Sequence, residues 1–76
     1  VRELLEYLTC ALVEEPEAVE VDEFTEDDDL VFEISVADDD LGRVIGKGGR
    51  VANALRTVAK AAAVKQDRRV IVDILD

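Results

Sequence analysis

Glycine clustering restricts this chain more than any other feature. The 76-residue sequence has four glycines, and three of them, Gly46, Gly48 and Gly49, fall within four positions, with Lys47 among them. Glycine reaches positive φ without steric cost and, lacking Cβ, lets another backbone approach closely. The flanking patterns are helical. Leu41, Val44 and Ile45 mark a short helix running into Gly46. Beyond Gly49, the apolar residues Val51, Ala54, Leu55, Val58 and Ala62 recur three and four apart, the spacing of a longer amphipathic helix, with Arg50, Arg56 and Lys60 on its other sides. The glycines therefore form a sharp turn between two helices. The second helix opens there, so its unpaired N–H groups and positive dipole end face whatever occupies the turn, an arrangement that favours phosphate. Lys47 and Arg50 add positive charge at the same place, and Arg43 lies one turn upstream.

The rest of the chain supplies a sheet and a first helix. Leu4, Leu5, Leu8 and Leu12 predict an amphipathic helix over about residues 1–14, which Pro16 stops because proline disfavours helix in the residue before it. Val19 and Val21 alternate with acids and predict a strand over about residues 18–24; Thr25–Asp29 reads as a polar turn. Leu30, Phe32, Ile34 and Val36 alternate as a second strand, antiparallel to the first. Asp38-Asp39-Asp40 reads as a helix N-terminus, where aspartate accepts from free N–H groups. Val70–Leu75 is a β-branched last strand after a loop at Gln66–Arg68. The order α-β-β-α-α-β predicts an α+β, two-layer fold, a three-stranded mixed sheet with three helices on one face.

Length allows one domain. The longest apolar runs, such as Ala61–Val64, fall far short of the ~20 residues that span a bilayer, so no membrane partner is expected. Arg2, Glu3 and Glu6 in the first turn argue against a signal peptide, and Val1 in place of an initiator Met leads us to expect a few residues before it. The single cysteine, Cys10, reads as a small apolar helix residue in a reducing compartment, and a cytoplasmic location is expected. The net charge of −10 at first argues against nucleic acid, but its distribution reverses the argument. Residues 1–40 carry one base against sixteen acids, net −15, whereas residues 41–76 carry eight bases against three acids, net +5. Local charge within a Debye length of ~8–10 Å sets the field at a surface, so a basic face on an acidic body still attracts a polyanion.

Two familiar glycine motifs fail against these residues. A nucleotide-binding P-loop needs four residues between its first glycine and Gly-Lys, then Ser or Thr, and it follows a strand. Gly42 is followed by only Arg43, Val44 and Ile45, and Gly48 stands where the hydroxyl belongs. A dinucleotide fingerprint through Gly46 and Gly48 would need Gly or Ala at Val51, directly after a strand. The run Gly42-Arg43-Val44-Ile45-Gly46-Lys47-Gly48-Gly49-Arg50-Val51 instead resembles the KH signature, in which Ile-Gly-x-x-Gly joins two helices and an aliphatic residue follows. With a helix and strand before the core, the chain resembles the type II KH arrangement, and in length and loop it is most similar to the small stand-alone KH proteins of bacteria, the KhpA family. The resemblance covers residues 1–76 as one KH domain, with its core at about 30–76.

That resemblance implies an RNA-binding protein, a post-transcriptional regulator or RNA chaperone, that clamps about four nucleotides of single-stranded RNA. Carried over by position, Gly46, Lys47, Gly48 and Gly49 grip the sugar-phosphate backbone, and Val44, Ile45, Val51 and Leu55 contribute to the apolar floor under the bases. Arg43, Arg50 and Arg56 reach phosphates or base edges. Arg68 and Arg69, with Lys65 nearby, lie on the far rim beside the family's variable loop. Preference for RNA over single-stranded DNA is an expectation from the family alone. The only aromatics, Tyr7, Phe24 and Phe32, leave no stacking platform in the basic half, which counts against an RRM or an OB-fold.

Asp27–Asp29 and Asp38–Asp40 lack the alternating ligands, central glycine and distal glutamate of a calcium loop, so no metal is expected, and no cofactor. The chain has no histidine, and Thr9, Thr25, Ser35, Thr57, Tyr7 and Cys10 form no evident nucleophile–base pair, so no enzyme is expected. Ile71 and Leu75 point away from the helices if Val70, Val72 and Ile74 face them. Such a patch is either ordinary exposed aliphatics or a contact for a partner, as a homodimer or a heterodimer with another KH-containing protein. A protein-interaction module on a KH scaffold, with incidental RNA contact, is the competing functional reading.

Overall fold

Helix α1 spans Arg2–Leu12 in a computed structural model that describes residues 1–75. It ends two residues earlier than the sequence pattern predicts, because Val13 already adopts extended backbone and Pro16 opens a single 3₁₀ turn, Pro16–Ala18. Proline has no N–H to waste at the first position of such a turn. Only part of the expected leucine stripe is covered. Leu5 and Thr9 are buried and Leu8 half-buried, while Leu4 and Leu12 each keep 38% of their surface exposed.

Strands β1 (Glu20–Glu26) and β2 (Asp29–Ser35) pair antiparallel through seven residues each. The polar turn expected at Thr25–Asp29 contracts to Asp27-Asp28, since the ladder continues through Glu26 and Asp29. Asp27 takes φ +56°, a left-handed conformation that aspartate tolerates better than most side chains. Strand β3 (Val70–Ile74) runs parallel to β2 on its other side, giving the order β1-β2-β3 in a mixed sheet. One sheet face presents the rows Val21–Ile34–Ile74 and Thr25–Leu30–Val70, with Phe32–Val72 between them. Helices α1, α2 (Leu41–Ile45) and α3 (Arg50–Ala62) all pack on that face, where Leu5, Val44, Leu55, Ala59 and Ala63 join the strand residues in one core. Phe32 and Ile34 on the central strand are completely buried. Each such side chain stabilises the fold by about 1.5–3 kcal/mol relative to exposure.

The face that α3 buries is rotated from the predicted one. Ala52, Leu55, Ala59 and Ala63 meet the core, whereas Ala54, Val58 and Ala62 remain exposed and Val51 half-buried. The physical reason is size: three alanines let the helix backbone settle close to the sheet, and the bulkier valines are turned toward α1. The result is the α+β, helix-first architecture of a type II KH fold. No helix among the described residues is long and apolar enough to cross a membrane.

Candidate nucleic-acid interface

The glycine turn joins α2 to α3 at one end of the helical layer. Gly46 closes α2 at φ +74°, ψ 170°, a region that only glycine enters readily. A Cβ there would lie 2.5 Å from Val51 Cγ2 and 2.9 Å from the Val51 nitrogen, so glycine is demanded by conformation and by space. Gly48 (φ +64°) and Gly49 (φ +80°) are also left-handed, but a Cβ on either would meet nothing within 4 Å. Their surroundings are open. Within the turn, Gly46 N–H donates to Gly42 O, Gly49 N–H to Gly46 O and Arg50 N–H to Lys47 O. The Lys47 and Gly48 amides take no part in these bonds. Lys47, Gly48 and Arg50 are exposed at the N-terminal end of the thirteen-residue α3.

The turn is held from behind by a residue with another expected role. Asp38–Asp40 forms a 3₁₀ turn leading into α2, yet no side chain there caps its own helix. Asp40, only 2% exposed, instead accepts from the Glu14 N–H at 3.1 Å and the Glu15 N–H at 3.0 Å, and from Arg43 Nε at 3.2 Å. Arg43 Nη2 also donates to Glu14 Oε1 at 2.6 Å. The Arg43 guanidinium is therefore engaged in bracing α2 against the exit of α1.

From the turn, a polar stripe of Arg50, Asn53, Arg56 and Lys60 runs along α3 at helical spacing, covering about 15 Å at 1.5 Å per residue. It borders the free edge of β3. Arg69 O accepts from Leu30 N–H and Leu75 N–H donates to Ile34 O, so alternate residues of β3 bond to β2 while Val70, Val72 and Ile74 present their backbone groups outward. Arg56 is half-buried over that edge: its Nε donates to Val72 O at 3.1 Å and its Nη1 to Asn53 Oδ1 at 3.0 Å. At the far end, Lys60, Val64, Asp67, Arg68 and Arg69 line a shallow concavity of about 420 Å³. Arg68 donates to Thr25 Oγ1 at 2.8 Å and to Asp28 O at 3.2 Å, and Arg69 pairs with Asp29 at 2.6 Å. The hydrogen bond from Arg69 holds the half-buried Asp29 carboxyl below the usual carboxylate range. Both arginines are thus tied to the β1–β2 turn, at the end of α3 opposite the glycines.

The apolar residues expected under the bases divide. Ile45 and Val51 are half-buried beside the turn, where a ligand can touch them. Val44 is 0% and Leu55 4% exposed, so they belong to the core and support that floor from beneath. Among the described residues, Arg2, Arg43, Arg56, Arg68 and Arg69 have side-chain hydrogen-bond partners, whereas Lys47, Arg50, Lys60 and Lys65 have none. The unneutralised cations lie along α3 and at its two ends. The opposite face of the sheet carries an acidic cross-strand row, Asp22, Glu33 and Asp73, next to an apolar row of Phe24, Val31 and Ile71. Asn53 and the Val72 carbonyl escaped the sequence reading, the first because it is uncharged and the second because a backbone oxygen has no sequence signature.

Comparison with known proteins agrees with this geometry. The family model described as KhpA/KhpB, KH domain, matches residues 2–74. An "RNA-binding protein KhpA" of Clostridium acetobutylicum is 49% identical over 74 residues, which cover 97% of this chain and 99% of the relative. One of Halalkalibacterium halodurans is 52% identical over 73 residues, 96% of each chain. A third, of Caldanaerobacter subterraneus, is 49% identical over 73 residues, 96% of this chain and 97% of its own. No solved structure matches the chain at a significant level.

Proposed function

The chain belongs to the KhpA/KhpB family of KH domains, and on that premise we propose that it binds single-stranded RNA in a groove bounded by the glycine turn, α3 and the free edge of β3. About four nucleotides fill such a groove. The single observation that carries the reading is the state of Lys47 and Arg50, both exposed and without a side-chain partner among the described residues, at an open glycine turn on a helix N-terminus. In the proposed complex the turn and Lys47 hold a phosphate, Arg50 reaches the next, and Ile45 and Val51 meet the bases. Arg68 and Arg69 form the far rim. Arg43 contributes by bracing α2, since its guanidinium is already shared between Asp40 and Glu14. The role is binding, as an RNA chaperone or post-transcriptional regulator in the cytoplasm, without catalysis.

A second reading, pairing with another KH chain, is favoured by one observation. Leu8, Ala11 and Leu12 of α1 face Val51, Ala54, Leu55 and Val58 of α3 across an apolar groove of about 260 Å³. This surface lies on the helices, whereas the patch suggested by the sequence was at Ile71 and Leu75. The two readings separate in one experiment with the Lys47→Asp/Gly48→Asp variant. It is expected to lose binding to short single-stranded RNA in fluorescence anisotropy, to keep the parent's far-UV circular dichroism, and to keep its sedimentation coefficient. Undiminished RNA binding by a folded variant defeats the clamp.

A further inference from the structure

We infer that the outer face of the sheet, on the side away from the helices, docks a lysine- or arginine-rich amphipathic helix of a partner protein. Among the described residues this face has no cover, because α1, α2 and α3 all pack on the other one. Its centre is apolar. Phe24, Val31 and Ile71 stand opposite one another across the three strands. Val31, in the middle, keeps only 4% of its surface, whereas Phe24 keeps 37% and Ile71 is half-buried. Two residues along the strands, about 7 Å away, lies the row of Asp22, Glu33 and Asp73. Like charges placed directly opposite one another destabilise a sheet. Among the described residues none of these three carboxylates is paired with a cation, and on the other flank Arg69 is taken by Asp29 while Glu26 has no partner. The row therefore costs stability that no group of this chain restores, which leaves the neutralising charge to a partner.

The dimensions select a helix. The apolar row crosses three strands, about 10 Å from first to last. Apolar residues at i, i+3, i+4 and i+7 of an α-helix cover about the same length. A helix laid along the row is about 10–12 Å across, so its flanking side chains fall over the carboxylates, and lysine or arginine there meets Asp22, Glu33 and Asp73 in turn. Charge argues against a second copy of the same face. A two-fold contact centred on the apolar row would set Asp22, Glu33 and Asp73 against their own image or against Glu26 and Asp29. The apolar row is also far smaller than the ~800 Å² per partner of a stable interface, so charge must supply the selectivity. A net charge of −10 speeds the encounter with a cationic partner.

The test titrates the full chain against a fluorescent helical peptide of about fifteen residues, with leucine at i, i+3, i+4 and i+7 and lysine on its flanks. Affinity is read by anisotropy, and the contact is mapped by amide chemical shifts of the isotope-labelled protein. Shifts are expected at Phe24, Val31, Glu33, Ile71 and Asp73. Asp22→Asn/Glu33→Gln/Asp73→Asn should weaken binding roughly tenfold, the sum of three exposed charge pairs. It relieves like-charge repulsion and should melt no lower than the parent, which separates a lost contact from a lost fold. Glu3→Gln/Glu15→Gln/Glu17→Gln removes the same charge from exposed positions in and just after α1 and should change the affinity less than about twofold. Equal weakening by the two triple variants is the mark of attraction to net charge alone and overturns the assignment. Equal binding of a peptide of the same composition with its leucines scattered around the helix overturns it too, as do shifts confined to α1 or α3. Self-association of the parent in sedimentation, lost in the Asp22→Asn/Glu33→Gln/Asp73→Asn variant, would give the face to a second copy instead. None of these measurements involves RNA, so the RNA-binding reading stands or falls separately.

Discussion

Gly46 carries a requirement that its two neighbours do not. Its φ of +74° with ψ near 170° belongs to a region costing other residues about 1–3 kcal/mol, and the Cβ of an alanine would press on the Val51 backbone nitrogen, which cannot swing aside as a side-chain tip can. Gly48 also has positive φ, but its surroundings are empty. Gly46→Ala is therefore expected to lower stability by about 3 kcal/mol, and Gly48→Ala by roughly 1 kcal/mol for its left-handed backbone alone. Paired thermal melts check the order, since 1 kcal/mol moves the midpoint of a domain this size by about 4–8 °C. Equal losses would mean that crowding against Val51 is relieved by movement of α3. The glycine cluster was legible as a turn from sequence. The different duties of its members were not, because they depend on what lies within 4 Å of each.

At the scale of elements, α2 is too short to hold itself. Its five residues form barely more than one turn, and an isolated helix of that length is unstable in water. The Asp40 carboxylate joins its N-terminal end to the exit of α1 through the Glu14 and Glu15 amides, and the Arg43 guanidinium closes the brace. Asp40→Ala leaves two backbone donors without their acceptor and removes a partner of Arg43. The expected cost is about 3 kcal/mol, read as a lower urea midpoint at unchanged slope. Weaker RNA binding should accompany it, because α2 positions the glycine turn. Asp40→Asn retains one carbonyl acceptor and should fall between parent and alanine. The sequence placed aspartate correctly at a helix start, yet its carboxylate serves a different segment, 25 and 26 residues away. Local pattern contains no information about such a partner.

For the whole molecule, the fold separates charges that the sequence only divides into halves. Most acids of β1 and β2 (Glu20, Asp22, Glu26, Asp29 and Glu33), with Asp73 of β3, share the outer sheet face, while the unpaired Lys47, Arg50 and Lys60 lie along α3. An incoming polyanion is repelled from one face and drawn to the other, despite a net charge of −10. Two to three phosphate contacts along α3 predict a slope of log affinity on log salt of about −1.4 to −2.1, hence roughly tenfold weaker binding at 200 mM than at 50 mM salt. Lys60→Gln should flatten that slope by about 0.7 in a salt titration; an unchanged slope would exclude Lys60 from the track. By itself the sequence determined the order of elements, the hairpin, the parallel last strand and the turn, because periodicity and glycine chemistry are local properties written in neighbouring residues. Which apolar face of α3 is buried, which arginines are already occupied, and that Arg56 is fixed over the edge of β3 were decided only by tertiary structure. Those outcomes depend on contacts between residues distant in the chain, and their geometry exists only once the sheet and helices have packed.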